Sequence, residues 1–263
     1  MYEDAEKELK DLINERQPIG AKCAGYVGLS CFYPYLGKYK EAMRTGDKSI
    51  ELFRQIKDTS YADLMLMLKA ITMYRGWKNI GDAWKEAEKT FPDENKITYS
   101  NYLGRLSLLQ VDHGDYEQAE SLRANVSWHV CILSMIESAK RNCAAAEVFA
   151  DSALKISQQF EQIFVLYRLA ECQYNAGYAD KAILSLKKLQ PLHDLDNLVG
   201  ARAMNYPQSF YLLGKSYEKK GDRKKAVENY KTFLNLWKNA DKDLPDYIDA
   251  KKQLTKLEAT AAK

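Results

Sequence analysis

The sequence has little proline and glycine for its length, with six prolines and 13 glycines among 263 residues. Disordered chains, collagen-like repeats and turn-rich all-β folds need more of both, so the composition disfavours all three. No apolar run approaches the ~20 residues of a membrane-spanning helix. The start of the chain also lacks the basic and apolar regions of a secretory signal. We therefore predict a helical, cytoplasmic protein that does not enter a membrane.

Cysteine is scarce and poorly placed for cross-links. The cysteines are Cys23, Cys31, Cys131, Cys143 and Cys172. Their odd number and wide spacing, without a Cys-x-x-Cys pair, disfavour a disulfide framework or zinc site and predict buried thiols in a reducing compartment. The three histidines show no metal-ligand spacing either. Because no nucleophile set, carboxylate pair or metal cluster stands out, we predict that the protein is not an enzyme and uses no cofactor.

One tripeptide, Gly214-Lys215-Ser216, has the form in which a phosphate-binding loop ends. That loop requires a glycine five residues before Gly214, whereas the sequence has Ser209 there. The flanking sequence also has a helical pattern, with no strand leading into a turn. The sequence therefore disfavours a nucleotide site at this position.

A helix-turn-helix pattern recurs along the chain. In each clear copy an apolar helix ends at a glycine, and a second helix carries an alanine five residues later. These pairs are Gly37 and Ala42, Gly114 and Ala119, Gly177 and Ala182, and Gly221 and Ala226. Glycine adopts the left-handed conformation that ends a helix at little cost, and alanine lets two helices cross closely. The spacing therefore predicts a series of packed helix pairs.

Two weaker copies lie between the clear ones. In the second copy along the chain we predict Ile80 as the residue at the helix crossing, and in the fourth we predict Ala146. Ala119 and Ala146 are only 27 residues apart. This short spacing indicates either a shortened helix after Gly114 or a wrong register near Ala146.

These copies resemble the tetratricopeptide repeat, a helix pair of about 34 residues. The resemblance implies an all-α fold, a right-handed α-solenoid of antiparallel helix pairs. We predict that residues 1–17 form the second helix of an incomplete N-terminal repeat, residues 23–240 about six helix pairs, and residues 245–259 a C-terminal capping helix. The incomplete first repeat suggests a piece of a longer protein. The C-terminal quarter is also similar to the ends of repeat domains in prokaryotic multidomain signalling proteins.

The resemblance implies a non-catalytic protein–protein interaction scaffold, which we predict to be the C-terminal binding or regulatory domain of a larger protein. Such repeats bind partners in a concave groove lined by the first helix of each pair. The predicted groove residues are Arg105, Trp128, Ile132, Met135, Tyr167, Arg168, Glu171, Tyr174, Tyr211, Lys215 and Lys219. Their apolar, aromatic and basic side chains suit an acidic peptide or protein with an apolar anchor. Packing against the next repeat is the alternative for each of them.

Two further functions stay open from the sequence. The first is self-association through the groove or the N-terminal face. The second is nucleic-acid binding, since the chain from Lys187 onward has sixteen Lys and Arg against ten Asp and Glu. This imbalance is mild for a nucleic-acid-binding domain, so that function is disfavoured. Binding of chaperone tails is also disfavoured, because Val27, Cys31 and Leu66 stand where related repeats have lysine and asparagine donors.

Overall fold

The computed structural model describes residues 2–89, 100–121, 126–157, 159–192 and 201–259. Every regular element in these ranges is helical. The α-helices are α1 (Tyr2–Leu12), α2 (Ile19–Phe32), α3 (Tyr39–Gln55), α4 (Thr59–Trp77), α5 (Ile80–Glu88), α6 (Ser100–His113), α7 (Tyr116–Ser121), α8 (Val126–Ala139), α9 (Cys143–Ile156), α10 (Gln159–Asn175), α11 (Ala179–Leu189), α12 (Ala201–Lys220), α13 (Arg223–Leu236) and α14 (Pro245–Ala259). Within the same ranges, no helix is both long and apolar enough to cross a membrane.

Helices that follow one another pack in pairs. From α2 onward, each even-numbered helix packs on the odd-numbered helix after it, up to α12 and α13. The first helices of successive pairs also touch, in the order α4, α6, α8, α10 and α12. This arrangement confirms the predicted all-α helical repeat array. The predicted division of the chain into an incomplete N-terminal repeat, about six helix pairs and a C-terminal capping helix stays a prediction.

Local geometry confirms the reason for the glycine and alanine spacing. The four glycines predicted to end a first helix all have left-handed backbones, with φ between 71° and 99°. The alanine five residues after each glycine is at most 3% exposed. A glycine therefore ends the first helix of each clear copy, and a buried alanine lies in the second helix as expected for a close crossing.

The weaker copies use the same geometry with other residues. Lys78 and Arg141 take the place of glycine, with φ of 59° and 62°. Five residues later lie Ala83 and Ala146, both fully buried. The register at Ala146 is thus confirmed, whereas the prediction of Ile80 as the crossing residue is wrong. Ile80 begins α5 and is only partly buried. The left-handed residue before α5 is Lys78, so the position five residues later, where the helices cross, is Ala83.

The short spacing between the third and fourth copies comes from the second helix of the third. Helix α7 is described over Tyr116–Ser121, and Val126 already belongs to α8, so α7 and its connection to α8 together have at most ten residues. For α3 and α9, the second helix and its connection to the next first helix have fifteen residues or more. The shortened-helix interpretation is therefore the correct one.

Substitution of Gly177 by alanine isolates the cost of the left-handed turn. A Cβ atom there would meet nothing within 4 Å, so the left-handed φ of 91° at this residue is the only reason for a substitution to destabilise the protein. We expect Gly177→Ala to lower the free energy of unfolding by about 1 kcal/mol in urea denaturation. Gly20→Ala, which has equal space in α2 and no left-handed φ, is the matched control and should not destabilise. Equal effects of both substitutions would contradict this account of the turn.

The two ends of the array meet. The connection between α13 and α14 packs against the turn before α3, where the amide of Asp241 donates to the Gly37 carbonyl at 3.0 Å. The rings of Trp237 and Tyr39 are 5.8 Å apart. A Cβ at Gly37 would lie 2.5 Å from the Cβ of Ala240, so only glycine allows this approach. The first and last helix pairs are therefore in direct contact, and the array closes on itself.

The interior of the closed array is filled by its own first helices. The Arg75 guanidinium of α4 lies 5.7 Å from the centre of the Tyr167 ring of α10. The Gln208 amide of α12 donates to the Arg75 carbonyl at 3.4 Å, and Arg168 of α10 forms an ion pair with Asp112 of α6. Helices α4, α6, α10 and α12 thus contact one another across the side where an open superhelix would have its groove.

The cysteine prediction is wrong in one respect. Cys143 of α9 and Cys172 of α10 form a disulfide, with their Cα atoms 5.8 Å apart. Their wide spacing gave no sign of it, because packing of successive helix pairs brings them together. Cys23, Cys31 and Cys131 are buried thiols as predicted. Because disulfides are typical of oxidising compartments, this bond argues against the cytoplasmic location, which stays a prediction.

Candidate functional site

Four of the predicted groove residues lie in the core. They are Ile132, Met135, Tyr167 and Tyr211, which are between 0% and 8% exposed. The reason is the closed array, in which neighbouring first helices cover the face that would otherwise line a groove. Their interpretation as partner contacts is corrected to packing between repeats. Arg105 and Trp128 lie outside the residues whose side chains the structure describes.

Arg168 connects helices rather than facing a partner. Its guanidinium forms ion pairs with Asp112 and, at 3.4 Å, with Glu171. Burial by itself would lower the pKa of Arg168, but the two carboxylates outweigh it and raise that pKa. The Arg168 side chain is 13% exposed and that of Glu171 is 30% exposed. Arg168 therefore fixes α10 against α6, and Glu171 lies at the edge of the surface.

The remaining three predicted residues come together on the surface. The Lys215 ammonium lies 5.1 Å from the ring centre of Tyr174 and 5.2 Å from that of Tyr211. Lys219, one turn further along α12, places its ammonium 4.9 Å from the Tyr174 ring and donates to the Tyr174 carbonyl at 3.0 Å. Cations are attracted to the faces of aromatic rings. The tyrosines therefore hold both lysines in place at the surface.

These lysines line a cleft of about 410 Å³ between α10, α12, α13 and α14, which we name the lysine–tyrosine cleft. Its lining residues are Tyr174, Lys215, Glu218, Lys219, Tyr230, Asp249, Gln253 and Lys256. The three residues from α14 were missed at the sequence level, where this helix was interpreted only as a polar cap. Their spacing of four and three residues, which puts them on one helix face, is the signal that could have found them.

The carboxylates of the cleft are already engaged. Asp249 accepts hydrogen bonds from the Tyr211 hydroxyl at 2.6 Å and from Gln253 at 3.0 Å. Burial would raise the pKa of Asp249, but these bonds and the positive field of Lys215 hold it below its usual value. Glu218 accepts from the Tyr230 hydroxyl at 3.1 Å. The acidic groups therefore stabilise the walls of the cleft.

The Lys215 ammonium is left to face the cleft. Among the described side chains, no carboxylate oxygen lies within 4 Å of its nitrogen. The three lysines and two carboxylates of the cleft give it a net charge of +1. A negatively charged oxygen group entering the cleft would thus gain an ammonium donor that none of the described carboxylates already pairs with.

The tripeptide Gly214-Lys215-Ser216 lies inside α12, so it forms no phosphate-binding loop. A Cβ at Gly214 would lie 2.7 Å from the Tyr230 ring, which explains why this position carries no side chain. The Ser216 hydroxyl donates to the Leu212 carbonyl one turn earlier, at 2.8 Å. Gly214 therefore allows α13 to approach α12, and Lys215 is left as the chemically available member of the tripeptide.

Comparison with known proteins agrees with this architecture. Residues 207–236, which cover most of α12 and all of α13, match the family model of the tetratricopeptide repeat. Together with the all-helical array, this match supports a tetratricopeptide-type repeat domain. Such repeats generally serve as protein–protein interaction scaffolds and are typically not catalytic. None of the curated proteins compared with the chain matches it. The similarity to prokaryotic signalling proteins stays a prediction.

Proposed function

We propose that this protein is a non-catalytic scaffold that binds an acidic segment of a partner protein in the lysine–tyrosine cleft. The observation that carries the proposal is the Lys215 ammonium, held over two tyrosine rings with no carboxylate within 4 Å in the described structure. The net charge of +1 in the cleft suits the single carboxylate of an acidic side chain better than a dianion. The tyrosine rings offer an apolar surface beside the charge, which suits an apolar neighbour in the partner.

The charges around the cleft favour a protein partner over nucleic acid. Outside the cleft, two of the lysines near the turn after α12 are paired, Lys220 with Asp180 and Lys225 with Asp222. A phosphate backbone is bound by many unpaired cations at once, and here only a small group of lysines faces one cleft. Nucleic-acid binding is therefore not the function that we propose.

Self-association is the second candidate, and it has a simple test. An open array with an uncapped end would stack on another copy. In the closed array the first and last helix pairs already cover each other through Gly37 and Ala240. We therefore expect one sedimentation coefficient, that of a monomer, across a hundredfold range of concentration. A species whose mass grows with concentration would support self-association instead. Attachment to a larger signalling protein, as its C-terminal domain, remains part of our proposal.

Reversal of the charge at Lys215 tests the cleft. We expect an array of acidic peptides to contain sequences that bind the protein, and Lys215→Glu to weaken their binding at least about tenfold, equivalent to about 1.4 kcal/mol. Fluorescence anisotropy with the best peptide measures the change. Binding should also weaken as salt is raised, because the contact is largely electrostatic.

The matched control for this test is Lys220→Glu. Lys220 is on the same helix and is more exposed than the half-buried Lys215, but it lies outside the cleft and pairs with Asp180. Its substitution should change peptide affinity less than about twofold, the small effect expected of a paired surface charge. If no acidic peptide binds, or if Lys220→Glu weakens binding as much as Lys215→Glu, the proposed site is wrong.

A further inference from the structure

A second basic surface lies where the two ends of the array meet. It is formed by Gly37 and Lys40 at the start of α3 and by Trp77 and Lys78 at the end of α4, and we name it the closure seat. Residues 238–246 lie on it; they comprise most of the connection between α13 and α14 and the first two residues of α14, and we call them the connection below. This connection has the sequence KNADKDLPD, in which three aspartates are spaced two and three residues apart.

The start of α3 binds two of these aspartates. The amide of Lys40 donates to Asp241 Oδ2 at 2.9 Å, which satisfies one of the open amides of the helix N-terminus. The Lys40 ammonium binds Asp243 Oδ1, also at 2.9 Å. A helix N-terminus and a lysine therefore act together on two carboxylates of a segment about 200 residues further along the chain.

The end of α4 binds the second and third aspartates. The Trp77 indole donates to Asp243 Oδ2 at 3.2 Å, and the Lys78 ammonium lies 3.2 Å from Asp246 Oδ2. The apolar members of the connection, Ala240 and Leu244, are 4% and 0% exposed. The connection thus contacts the seat as a peptide ligand would, with acidic side chains on the rim and small apolar side chains beneath.

The rim of this contact is open to solvent. The side chains of Lys40 and Asp243 are 60% and 51% exposed. The acidic and apolar pattern of the connection is also the chemistry that the sequence analysis assigned to a partner. We propose that the closure seat is a peptide-binding site that the protein occupies with its own residues 238–246, and that an acidic partner segment of the same pattern binds by displacing them.

Tethering explains why the intact protein favours its own segment. A segment attached at both ends acts at an effective concentration in the millimolar range. A free peptide therefore binds only in the fraction of molecules whose connection has left the seat, and its apparent affinity falls by that fraction. Weakening the attached segment, with the seat unchanged, should raise the affinity for a free peptide.

The test uses a fluorescent synthetic peptide with the sequence KNADKDLPD. We expect the peptide to bind the variant Asp241→Asn/Asp243→Asn at least about tenfold more tightly than the intact protein. Adding Lys40→Glu to this variant should abolish the gain, because the seat loses its main cation. A peptide with all three aspartates replaced by asparagine should not bind. Circular dichroism checks that each variant is folded. If the double variant does not fold, the single variant Asp243→Asn, which changes an exposed side chain, is used for the same comparison.

The two proposed sites are separated by one further substitution. Lys219→Glu in the Asp241→Asn/Asp243→Asn background changes the lysine–tyrosine cleft and should leave binding of KNADKDLPD unchanged. The proposal is overturned if the peptide binds the intact protein and the variants equally. It is also overturned if Lys219→Glu, and not Lys40→Glu, removes the binding, since the peptide then occupies the lysine–tyrosine cleft. The proposed function would survive that last result.

Discussion

Replacement of Trp237 by alanine is expected to lower the free energy of unfolding by about 4 kcal/mol. Trp237 is 1% exposed, and its ring lies 4.5 Å from that of Phe233 and 5.8 Å from that of Tyr39. Removal of the indole leaves a cavity between the first and last helix pairs, where Gly37 has no side chain to fill it. Urea denaturation followed by circular dichroism measures the loss.

The control for this prediction is Leu184→Ala. Leu184 is a large apolar residue on α11, but it is 61% exposed, so the change should stay within about 0.5 kcal/mol. Hydrogen exchange adds a sharper readout. In an open array each repeat contacts only its neighbours, so loss of Trp237 would leave α3 unaffected. The closed array requires faster amide exchange in α3, and unchanged exchange there would contradict it.

Reduction of the disulfide between Cys143 and Cys172 is expected to lower the free energy of unfolding by about 3 kcal/mol. The bond closes a loop with a sequence separation of 29 and so restricts the unfolded chain. Within the native structure it also links α9 to α10, the helix that carries Tyr174. Unfolding with and without dithiothreitol measures the difference.

The double variant Cys143→Ala/Cys172→Ala is the control for reduction. It should resemble the reduced protein and show no response to dithiothreitol, because the other described cysteines are thiols. An intact protein whose unfolding midpoint does not change on reduction would show that the two sulfurs are not bonded in solution. The prediction of buried, unlinked cysteines would then be restored.

The helix pairs could be predicted from the sequence because their determinants are local. A glycine that ends a helix and an alanine five residues later act within one turn of chain, as Gly177 and Ala182 do. The same rule failed at Ile80 because Lys78 adopts the left-handed conformation without being glycine. A rule based on residue type cannot detect a turn that is held in place by packing.

The closure of the array could not be predicted in this way. Asp243 and Lys40 are 203 residues apart, and neither carries a local signal of the contact. Closure also determines which predicted groove residues are accessible, since it buries Ile132 and Tyr167 and leaves Lys215 at the surface. Periodicity shows which residues share a helix face, but the curvature of the whole array determines which faces remain open.

The contact between Lys40 and Asp243 tests the closed array most directly. A carbodiimide joins an amine and a carboxylate only when they touch, and these two groups are 2.9 Å apart. Lys231 and Glu258, which link α13 to α14 at 2.8 Å, are the control pair, with closely similar exposure of both side chains. We predict that mass spectrometry of the treated monomer finds both cross-links in comparable yield. A monomer that contains the Lys231–Glu258 cross-link but no Lys40–Asp243 cross-link would have an open array, which would contradict the structure described above.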